Sequence, residues 1–256
     1  MKTGKQRVGL LLAGFLLGGT MQAAEVETPV RRGEKFLTGL FNAELGLLPE
    51  FRGSKSYWLF HDNYLAAKVL AGSRPDLAAS IVAALSRCGV TNSGKIEILF
   101  DEAALPLPFR HYQLTNLLVT NGLTIRTEVV TPRVLADWDG YADLLLLAAL
   151  AQSKSDPTAA RHNFERADAL WDGKGLADRV VVKSQRYATY KLALYLLTAR
   201  RLQLTPAHAG EVRVRLLALQ NQEGGWITDY NEALKPLGFA NVETTCLAIL
   251  ALRDEK

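Results

Sequence analysis

The chain has 256 residues, and 48% of them are hydrophobic, which is enough to bury a sizeable core in one large domain. Its 30 Lys and Arg residues and 26 Asp and Glu residues give a formal net charge of +4. No basic stripe with interleaved aromatic residues accompanies this charge, so the sequence argues against a nucleic-acid-binding protein.

The first 24 residues have the composition of a secretory signal peptide. Lys2, Lys5 and Arg7 form a basic head, residues 8–17 form an apolar run, and small residues end the segment at Ala24. The run is too short to cross a bilayer comfortably, so we expect cleavage after Ala24, export to the periplasm or the extracellular space, and no stable membrane span afterwards. An uncleaved anchor is the alternative. Cleavage would remove three positive charges and leave a mature chain of charge +1.

Cysteine and histidine positions predict neither a disulfide bond nor a metal site. Cys88 and Cys246 both lie in apolar helical runs, where a free Cys usually behaves as a small hydrophobic residue. The histidines lack the spacing of zinc ligands, and the sequence contains no phosphate-binding loop. We therefore predict no metal and no cofactor. The histidines are His61, His111, His162 and His208.

Apolar periodicity predicts two kinds of helix that alternate along the chain. One kind is apolar on nearly all sides, which is typical of a buried helix, and its first turn is polar or aromatic. The other kind is amphipathic and precedes each buried helix. The predicted buried helices are 61–72, 141–152, 187–199 and 241–252, and the predicted amphipathic helices are 34–42, 75–88, 158–171 and 208–220.

Two stretches near opposite ends of the chain have related sequences. NAELGLLPEF at 42–51 and NQEGGWITDY at 221–230 share Asn-x-Glu-x-Gly, followed by an apolar residue, an acid and an aromatic ring. Gly supplies the left-handed conformation that ends a helix, and a polar residue can then cap the next helix. We therefore predict the same joint between an outer and an inner helix at both places. The expected caps of the inner helices are Asp62, Ser184 and Asn241.

Residues 93–134 interrupt the helical pattern. The runs at 95–100 and 117–130 are typical of β-strands, and Asn121-Gly122 is a strong hairpin turn within the second run. Prolines at 106, 108 and 132 exclude a helix across this stretch. We expect a small β-rich insertion at the end of the helical array where the inner helices begin.

The alternating helices and Gly-rich joints are similar to those of the α/α-toroid superfamily. Gln220, Gly224 and Trp226 match the Gln-x-x-x-Gly-x-Trp motif of its terpenoid-cyclase branch. The superfamily also contains protein prenyltransferase β-subunits and, more distantly, α/α-barrel glycosidases and polysaccharide lyases. The resemblance implies an all-α fold for residues 25–256, an α/α toroid, open or closed, of about four helical hairpins with the insertion at 93–134.

The catalytic motifs of the cyclase and prenyltransferase branches do not carry over to this chain. A class II cyclase would carry Asp-x-Asp-Asp, whereas residues 137–140 read Asp-Trp-Asp-Gly. A prenyltransferase would need zinc ligands, and neither cysteine has a His or Asp nearby at ligand spacing. The resemblance therefore concerns the helical scaffold and does not identify catalytic residues.

In such a ring the first turns of the inner helices converge on a central cavity. The aligned positions Asn63, Asp143, Tyr190 and Glu243 are polar in all four repeat units. Aromatic faces beside carboxylates and an Arg are typical of sugar-binding sites, because sugar rings stack on flat apolar surfaces and bond through their hydroxyl groups. Caps and packing rings are the alternative interpretation. The other predicted ligand-binding residues are Trp58, His61, Asp137, Trp138, Tyr141, Arg186, Tyr187 and Asp229.

Asp62 and Asp139 are the predicted catalytic residues. Both are expected at the mouth of the cavity and not in the middle of a helix, and paired carboxylates there can act as acid and base across a glycosidic bond. The alternative is that each caps a helix. A sugar-cleaving site would hold its two carboxylates roughly 5–10 Å apart in an open cleft.

The sequence thus favours an exported protein that binds a small or polymeric carbohydrate and cleaves it, as a glycoside hydrolase or a polysaccharide lyase does. One alternative is a non-catalytic binding or scaffold domain, whose acids would all cap helices. The other is a terpenoid-cyclase-like enzyme, whose cavity would be closed, apolar and lined by aromatic rings.

Overall fold

The computed structural model describes residues 27–253 except 90–92, 94, 103–106, 108 and 121, and the predicted signal peptide lies outside these residues. The fold is mixed α/β, 50% helical and 22% strand, with two sheets of three strands each. The predicted all-α toroid is therefore wrong. The sequence prediction failed in the joints between helices, because several of them contain short strands that pair with distant parts of the chain.

The eight predicted helices are present, with small shifts at their ends. The first buried helix begins as a π-helix, Leu59–Tyr64, and a short helix at Arg179–Ser184 was not predicted. Short 3₁₀ helices cover Ile96–Phe100 and Trp138–Gly140. The α-helices are α1 Pro29–Leu40, α2 Leu65–Leu70, α3 Pro75–Arg87, α4 Ala142–Gln152, α5 Pro157–Asp168, α6 Arg179–Ser184, α7 Thr189–Arg201, α8 Ala209–Ala218 and α9 Val242–Leu252.

Six strands form the two sheets. In the first sheet β1 pairs in parallel with β3, and β3 pairs with β2 as an antiparallel hairpin, which confirms the predicted hairpin within 117–130. In the second sheet β5 lies between β4 and β6, and both pairings are antiparallel. The strands are β1 Ser56–Trp58, β2 Arg110–Thr120, β3 Leu123–Val134, β4 Arg186–Ala188, β5 Ile227–Asn231 and β6 Pro236–Ala240.

The predicted strand at 95–100 is wrong, because Ile96–Phe100 forms a 3₁₀ helix. Ile96, Glu97, Ile98 and Leu99 are all buried, whereas a half-buried strand would alternate between buried and exposed residues. Glu97 tolerates burial because its carboxylate accepts hydrogen bonds from the backbone N–H and the hydroxyl of Ser93. This 3₁₀ helix packs against α4.

The core consists of four buried helices side by side, in the order α4, α7, α9 and α2. Their amphipathic partners α5, α8, α1 and α3 pack against them from outside. The all-round apolar sequence of these inner helices reflects this position: nine of the eleven residues of α9 are buried. The first turns of the inner helices, with their polar residues, meet at one end of the array.

The two related stretches form adjacent joints where the ends of the described chain meet. Helix α1 packs against α9, and the backbone N–H of Val242 donates to the backbone oxygen of Glu50. The indole of Trp226 is fully buried and donates from Nε1 to the backbone oxygen of Leu216. A methyl group at Gly33 would lie 2.8 Å from this indole ring, so α1 requires glycine at the contact.

Alanine substitutions at Gly224 and Gly173 separate steric overlap from backbone strain. Both glycines have a positive φ, +95° and +84°, which costs an L-residue about 1–2 kcal/mol. A Cβ at Gly224 would lie 2.3 Å from the backbone oxygen of Arg32, whereas no described atom lies within 4 Å of one at Gly173. We expect Gly224→Ala to lower the free energy of unfolding by about 1–3 kcal/mol more than Gly173→Ala. Urea denaturation measures the difference, and equal losses would contradict the close packing of the chain ends.

Both cysteines are free in the part of the chain that the structure describes, and Cys246 is buried in α9. None of the helices formed by the described residues has the length and apolarity that a bilayer crossing requires.

Candidate functional site

Two adjoining cavities lie at the N-terminal ends of the inner helices. The polar cavity has a volume of about 180 Å³ and the apolar cavity a volume of about 210 Å³, and both are lined by His61 and Glu243. The polar cavity is also lined by Glu50, Trp58, Asp62, Glu128 and Asn241. The apolar cavity is also lined by Lys95, Ile96, Leu99, Asp143, Leu144, Leu147, Tyr190, Leu194 and Leu247.

A π-helical segment, Leu59–Tyr64, carries both His61 and Asp62. Its geometry is held by Asn63, whose side-chain amide donates to the backbone oxygens of Leu48 and Trp58 and whose Oδ1 accepts from the N–H of Leu48. Single π-helical turns are frequent at functional sites. Asn63 is fully buried in these bonds, so it supports the site and does not face a ligand.

His61 connects the β-hairpin to the helices. Its Nδ1 lies 3.1 Å from Oε1 of Glu243 on α9, and its Nε2 lies 3.1 Å from Oε2 of Glu128 on β3. Burial favours the neutral imidazole and acts to lower the pKa of His61, but the hydrogen bonds to Glu128 and Glu243 outweigh it and raise the pKa. The protonated ring donates to both carboxylates and so bridges two separate elements.

Glu128 is held in its ionised form. Burial acts to raise its pKa, but the hydrogen bond from His61 and the positive charge of Lys95 outweigh burial and lower the pKa to about 2. The Nζ atom of Lys95 lies 3.1 Å from Oε2 of Glu128. Glu128 is therefore a poor proton acceptor, and its role is to anchor His61 and Lys95.

Asp62 is the buried carboxyl group of the polar cavity. Only 2% of the residue is exposed, and its Oδ2 has no hydrogen-bond partner among the described residues. Burial, and then the negative charges of Glu243 and Glu50, raise the pKa of Asp62 well above its usual range. It lies inside the π-helical segment and so does not cap α2, which begins at Leu65, as the alternative interpretation expected.

Glu50 and Trp58 form one wall of the polar cavity. Burial raises the pKa of Glu50, although a hydrogen bond from the Trp58 side chain and the positive charge of Arg126 act against it. The Arg126 guanidinium lies 5.3 Å above the Trp58 ring, a cation–π contact that fixes the indole. This wall therefore combines an aromatic ring with a carboxyl acceptor.

A second polar group borders the apolar cavity. The hydroxyl of Tyr190 donates to Asp143 over 2.9 Å, and the Nζ of the buried Lys191 lies 3.5 Å from Asp143 and 2.5 Å from Asp178. Burial and the charge of Asp143 raise the pKa of Tyr190 well above its usual range, so its hydroxyl remains a donor. Asp178 also accepts from the N–H of Ala142, the first residue of α4.

Six of the residues predicted from the sequence line these cavities: Trp58, His61, Asp62, Asp143, Tyr190 and Glu243. The second predicted catalytic residue, Asp139, lies elsewhere among the described residues. Its carboxylate is half-exposed and 2.8 Å from Arg166 on α5, which lowers its pKa. The neighbouring Asp137 is paired in the same way with Arg179. Arg166 lies on α5 and Arg179 is the first residue of α6, so both acids form ion pairs at the surface.

The remaining predicted residues stabilise the fold around the site. Trp138 packs edge-on against Phe109, with ring centroids 5.3 Å apart. Tyr187 is buried, stacks on Tyr230 and donates to Asp172. Burial raises the pKa of Asp229, which is half-buried on β5. Eight predicted residues are absent from the described linings of the two cavities. They are Asn63, Asp137, Trp138, Asp139, Tyr141, Arg186, Tyr187 and Asp229.

Four polar lining residues were not predicted as ligands. Glu50 was aligned with Asp229 in the repeat, and that alignment could have identified it. Asn241 was predicted as a cap, and it does cap α9 by accepting from the N–H of Thr244, while also lining the polar cavity. Lys95 and Glu128 come from the insertion, where no repeat or motif points to them.

Stability should depend on pH through His61. Because the folded-state pKa of His61 is raised, its ion pairs contribute stability that is fully present below the ordinary His pKa of about 6.5 and is lost as the pH rises through the raised value. We expect His61→Gln to flatten this part of the stability profile, measured by urea denaturation at a series of pH values. The exposed His162→Gln is the control and should keep the wild-type slope. A wild-type profile without this slope would contradict the bridging role of His61.

Among the described residues, no group of three or more His, Cys, Asp and Glu side chains is placed to hold a metal ion. The basic residues described in the linings of the two cavities are His61 and Lys95, and both contact carboxylates. No protein-family model, curated protein or solved structure matches the chain.

Proposed function

We propose that the chain binds a small carbohydrate in the polar cavity and hydrolyses its glycosidic bond, with Asp62 as the proton donor. One observation carries the proposal: a buried carboxyl group with an unpartnered oxygen lines a cavity beside other carboxylates. Glycoside hydrolysis uses a protonated carboxylic acid next to an ionised one. The predicted signal segment agrees with a carbohydrate-active protein acting outside the cytoplasm, as we propose for this chain.

The dimensions of the polar cavity favour a single sugar ring. Its volume of about 180 Å³ is slightly larger than the roughly 150 Å³ that enclose a benzene ring in an engineered cavity. Trp58 offers an aromatic face, and the carboxyl groups offer acceptors for sugar hydroxyls. The side chains of His61, Glu128 and Glu243 are 15–26% exposed, so solvent and a ligand can reach the mouth.

The raised pKa of Asp62 makes this residue the proton donor of the proposed reaction. Asp62 donates its proton to the glycosidic oxygen as the bond between that oxygen and the anomeric carbon breaks. Glu243 accepts a proton from a water molecule, whose oxygen bonds to the anomeric carbon. His61 is a positioning residue, because its bond to Glu243 fixes that carboxylate at the boundary of the two cavities.

Each alternative function requires features that differ from these. A scaffold would use its acids as caps, as Asp156 and Asp178 do. Asp62 also accepts a hydrogen bond from the backbone N–H of Glu243 in the first turn of α9, but its Oδ2 has no partner among the described residues. A terpenoid site would be lined by aromatic rings, whereas the apolar cavity is lined mainly by Leu and Ile, with Tyr190 as its aromatic residue. These observations favour acid–base chemistry on a polar ligand.

The test is a panel of oligosaccharides and 4-nitrophenyl glycosides, assayed for binding and for new reducing ends. We expect at least one glycoside to be cleaved by the wild-type chain, and both Asp62→Asn and Glu243→Gln to lose that activity. Asp76→Asn, at an exposed ion pair with Arg74, is the matched control and should be as active as wild type.

Two outcomes would contradict the proposal. If no glycoside in the panel binds, the carbohydrate assignment fails. If Asp139→Asn removes activity while Glu243→Gln does not, the pair is Asp62 and Asp139, as the sequence predicted, and the role given to Glu243 is wrong.

A further inference from the structure

The aliphatic side chains of the apolar cavity have no part in the proton transfers, yet this cavity adjoins the polar cavity through His61 and Glu243. We propose that it holds an aryl or short alkyl group attached to the sugar, so that the substrate class is a glycoside with an apolar aglycone. The inference rests on the proposed carbohydrate site and specifies what is joined to the sugar.

The lining of this cavity favours an apolar group. Its polar side chains are already engaged: His61 with Glu243, Lys95 with Glu128, and Asp143 with Tyr190. A second sugar ring would have to form its hydrogen bonds in competition with these pairs, whereas an apolar group would only displace water from aliphatic surface. The aliphatic lining consists of Ile96, Leu99, Leu144, Leu147, Leu194 and Leu247.

The size of the cavity sets the size of the group. At about 210 Å³ it exceeds the roughly 150 Å³ that enclose a benzene ring, so a phenyl group or an alkyl chain of similar volume fits. A long lipid chain would not be enclosed.

The position of Glu243 connects the two halves of such a ligand. His61 and Glu243 line both cavities, so a ligand that spans the boundary between them would have its sugar on the polar side and its aglycone on the apolar side. After the bond breaks with proton transfer from Asp62, the leaving alcohol or phenol would occupy the apolar cavity. The boundary between the cavities is thus where this bond would be cleaved.

Paired methyl and phenyl glycosides of glucose, galactose, mannose and N-acetylglucosamine test the inference by calorimetric titration. We expect the phenyl member of a binding pair to have a Kd roughly ten- to a hundredfold lower than the methyl member, because most of the ring leaves water. Equal Kd values within a pair would overturn the apolar aglycone and leave the carbohydrate site standing. Binding by no member of any pair would overturn the carbohydrate site, and this inference with it.

Leu144→Trp adds a variant arm, since Leu144 is only partly buried and has room to change. Filling the cavity should raise the Kd of the phenyl glycoside about tenfold or more and leave that of the methyl glycoside unchanged. Val182→Trp, at a position 77% exposed on α6, is the control and should change neither Kd. An unchanged phenyl Kd in Leu144→Trp would overturn the inference.

A probe without sugar keeps the inference testable even if Leu144→Trp does not fold. Benzyl alcohol added to the wild-type chain should shift the NMR methyl resonances of Leu147, Leu194 and Leu247, which line the cavity. Shifts at these methyl groups would support the apolar cavity as a binding site. Their absence at millimolar benzyl alcohol would overturn the inference.

Discussion

Asp62→Asn should lower turnover of a cleaved glycoside by roughly 10²–10⁴-fold, the range expected for loss of a general acid. An amide has the shape of the carboxyl group but cannot transfer a proton to the glycosidic oxygen. Because the proton is transferred only in the transition state, the loss should appear in kcat more than in the binding of the ligand. Activity equal to wild type would contradict the role of Asp62.

The same substitution should stabilise the fold at neutral pH. The pKa of Asp62 is raised in the folded state, so that state binds the proton more tightly than the unfolded chain does. The wild type therefore loses stability as the pH rises above the ordinary Asp pKa of about 3.9 and continues to lose it up to the raised value. Asp62→Asn has no ionisable group at this position, so its free energy of unfolding should exceed that of the wild type across this pH range. Urea denaturation at several pH values measures the gain.

Asp178→Ala should cause the largest loss of stability, about 3–5 kcal/mol. The Asp178 carboxylate accepts from the N–H groups of Val180 and Ala142, and so connects the starts of α6 and α4. It also lies 2.5 Å from Nζ of Lys191, whose side chain is 4% exposed. Its removal leaves a buried ammonium group with Asp143 as its remaining carboxylate partner, at 3.5 Å.

The control for Asp178→Ala is Asp156→Ala. Asp156 caps α5 at the surface by accepting from the N–H of Ala159, and its loss should cost about 1 kcal/mol. Guanidinium denaturation compares the two variants. A double variant, Asp178→Asn with Lys191→Met, should recover part of the loss, because it removes the buried ammonium group that has lost its nearer carboxylate partner. Equal losses from Asp178→Ala and Asp156→Ala would contradict a buried ion pair.

The helices could be predicted because their signal is local. Helices α4 and α9 are apolar on nearly every side, and each amphipathic partner shows its own periodicity. The strands that changed the fold class have no comparable signal. Strand β4 has three residues, and it forms a sheet only because Tyr187 pairs with Tyr230, more than forty positions away. Its composition is equally compatible with the start of a helix, which is how it was interpreted.

The site could be predicted in part for the same reason. Asp143, Tyr190 and Glu243 occupy first turns of inner helices, so a correct helix start was enough to bring them to the cavities. Asp139 does not line either cavity as described, because its carboxylate pairs with Arg166 from another helix. Glu128 could not be found, since its position depends on the pairing of β3 with β1, which no local pattern encodes.

The proposed acid–base chemistry depends on the protonation state of Asp62 in the folded chain, which can be measured directly. Carboxyl ¹³C NMR, with Asp62→Asn to assign the resonance, follows this group as the pH is raised. We expect Asp62 to remain protonated at a pH at which exposed Asp carboxyl groups are fully ionised, because burial and the charges of Glu243 and Glu50 oppose its ionisation. Titration of Asp62 together with the exposed Asp residues would contradict it.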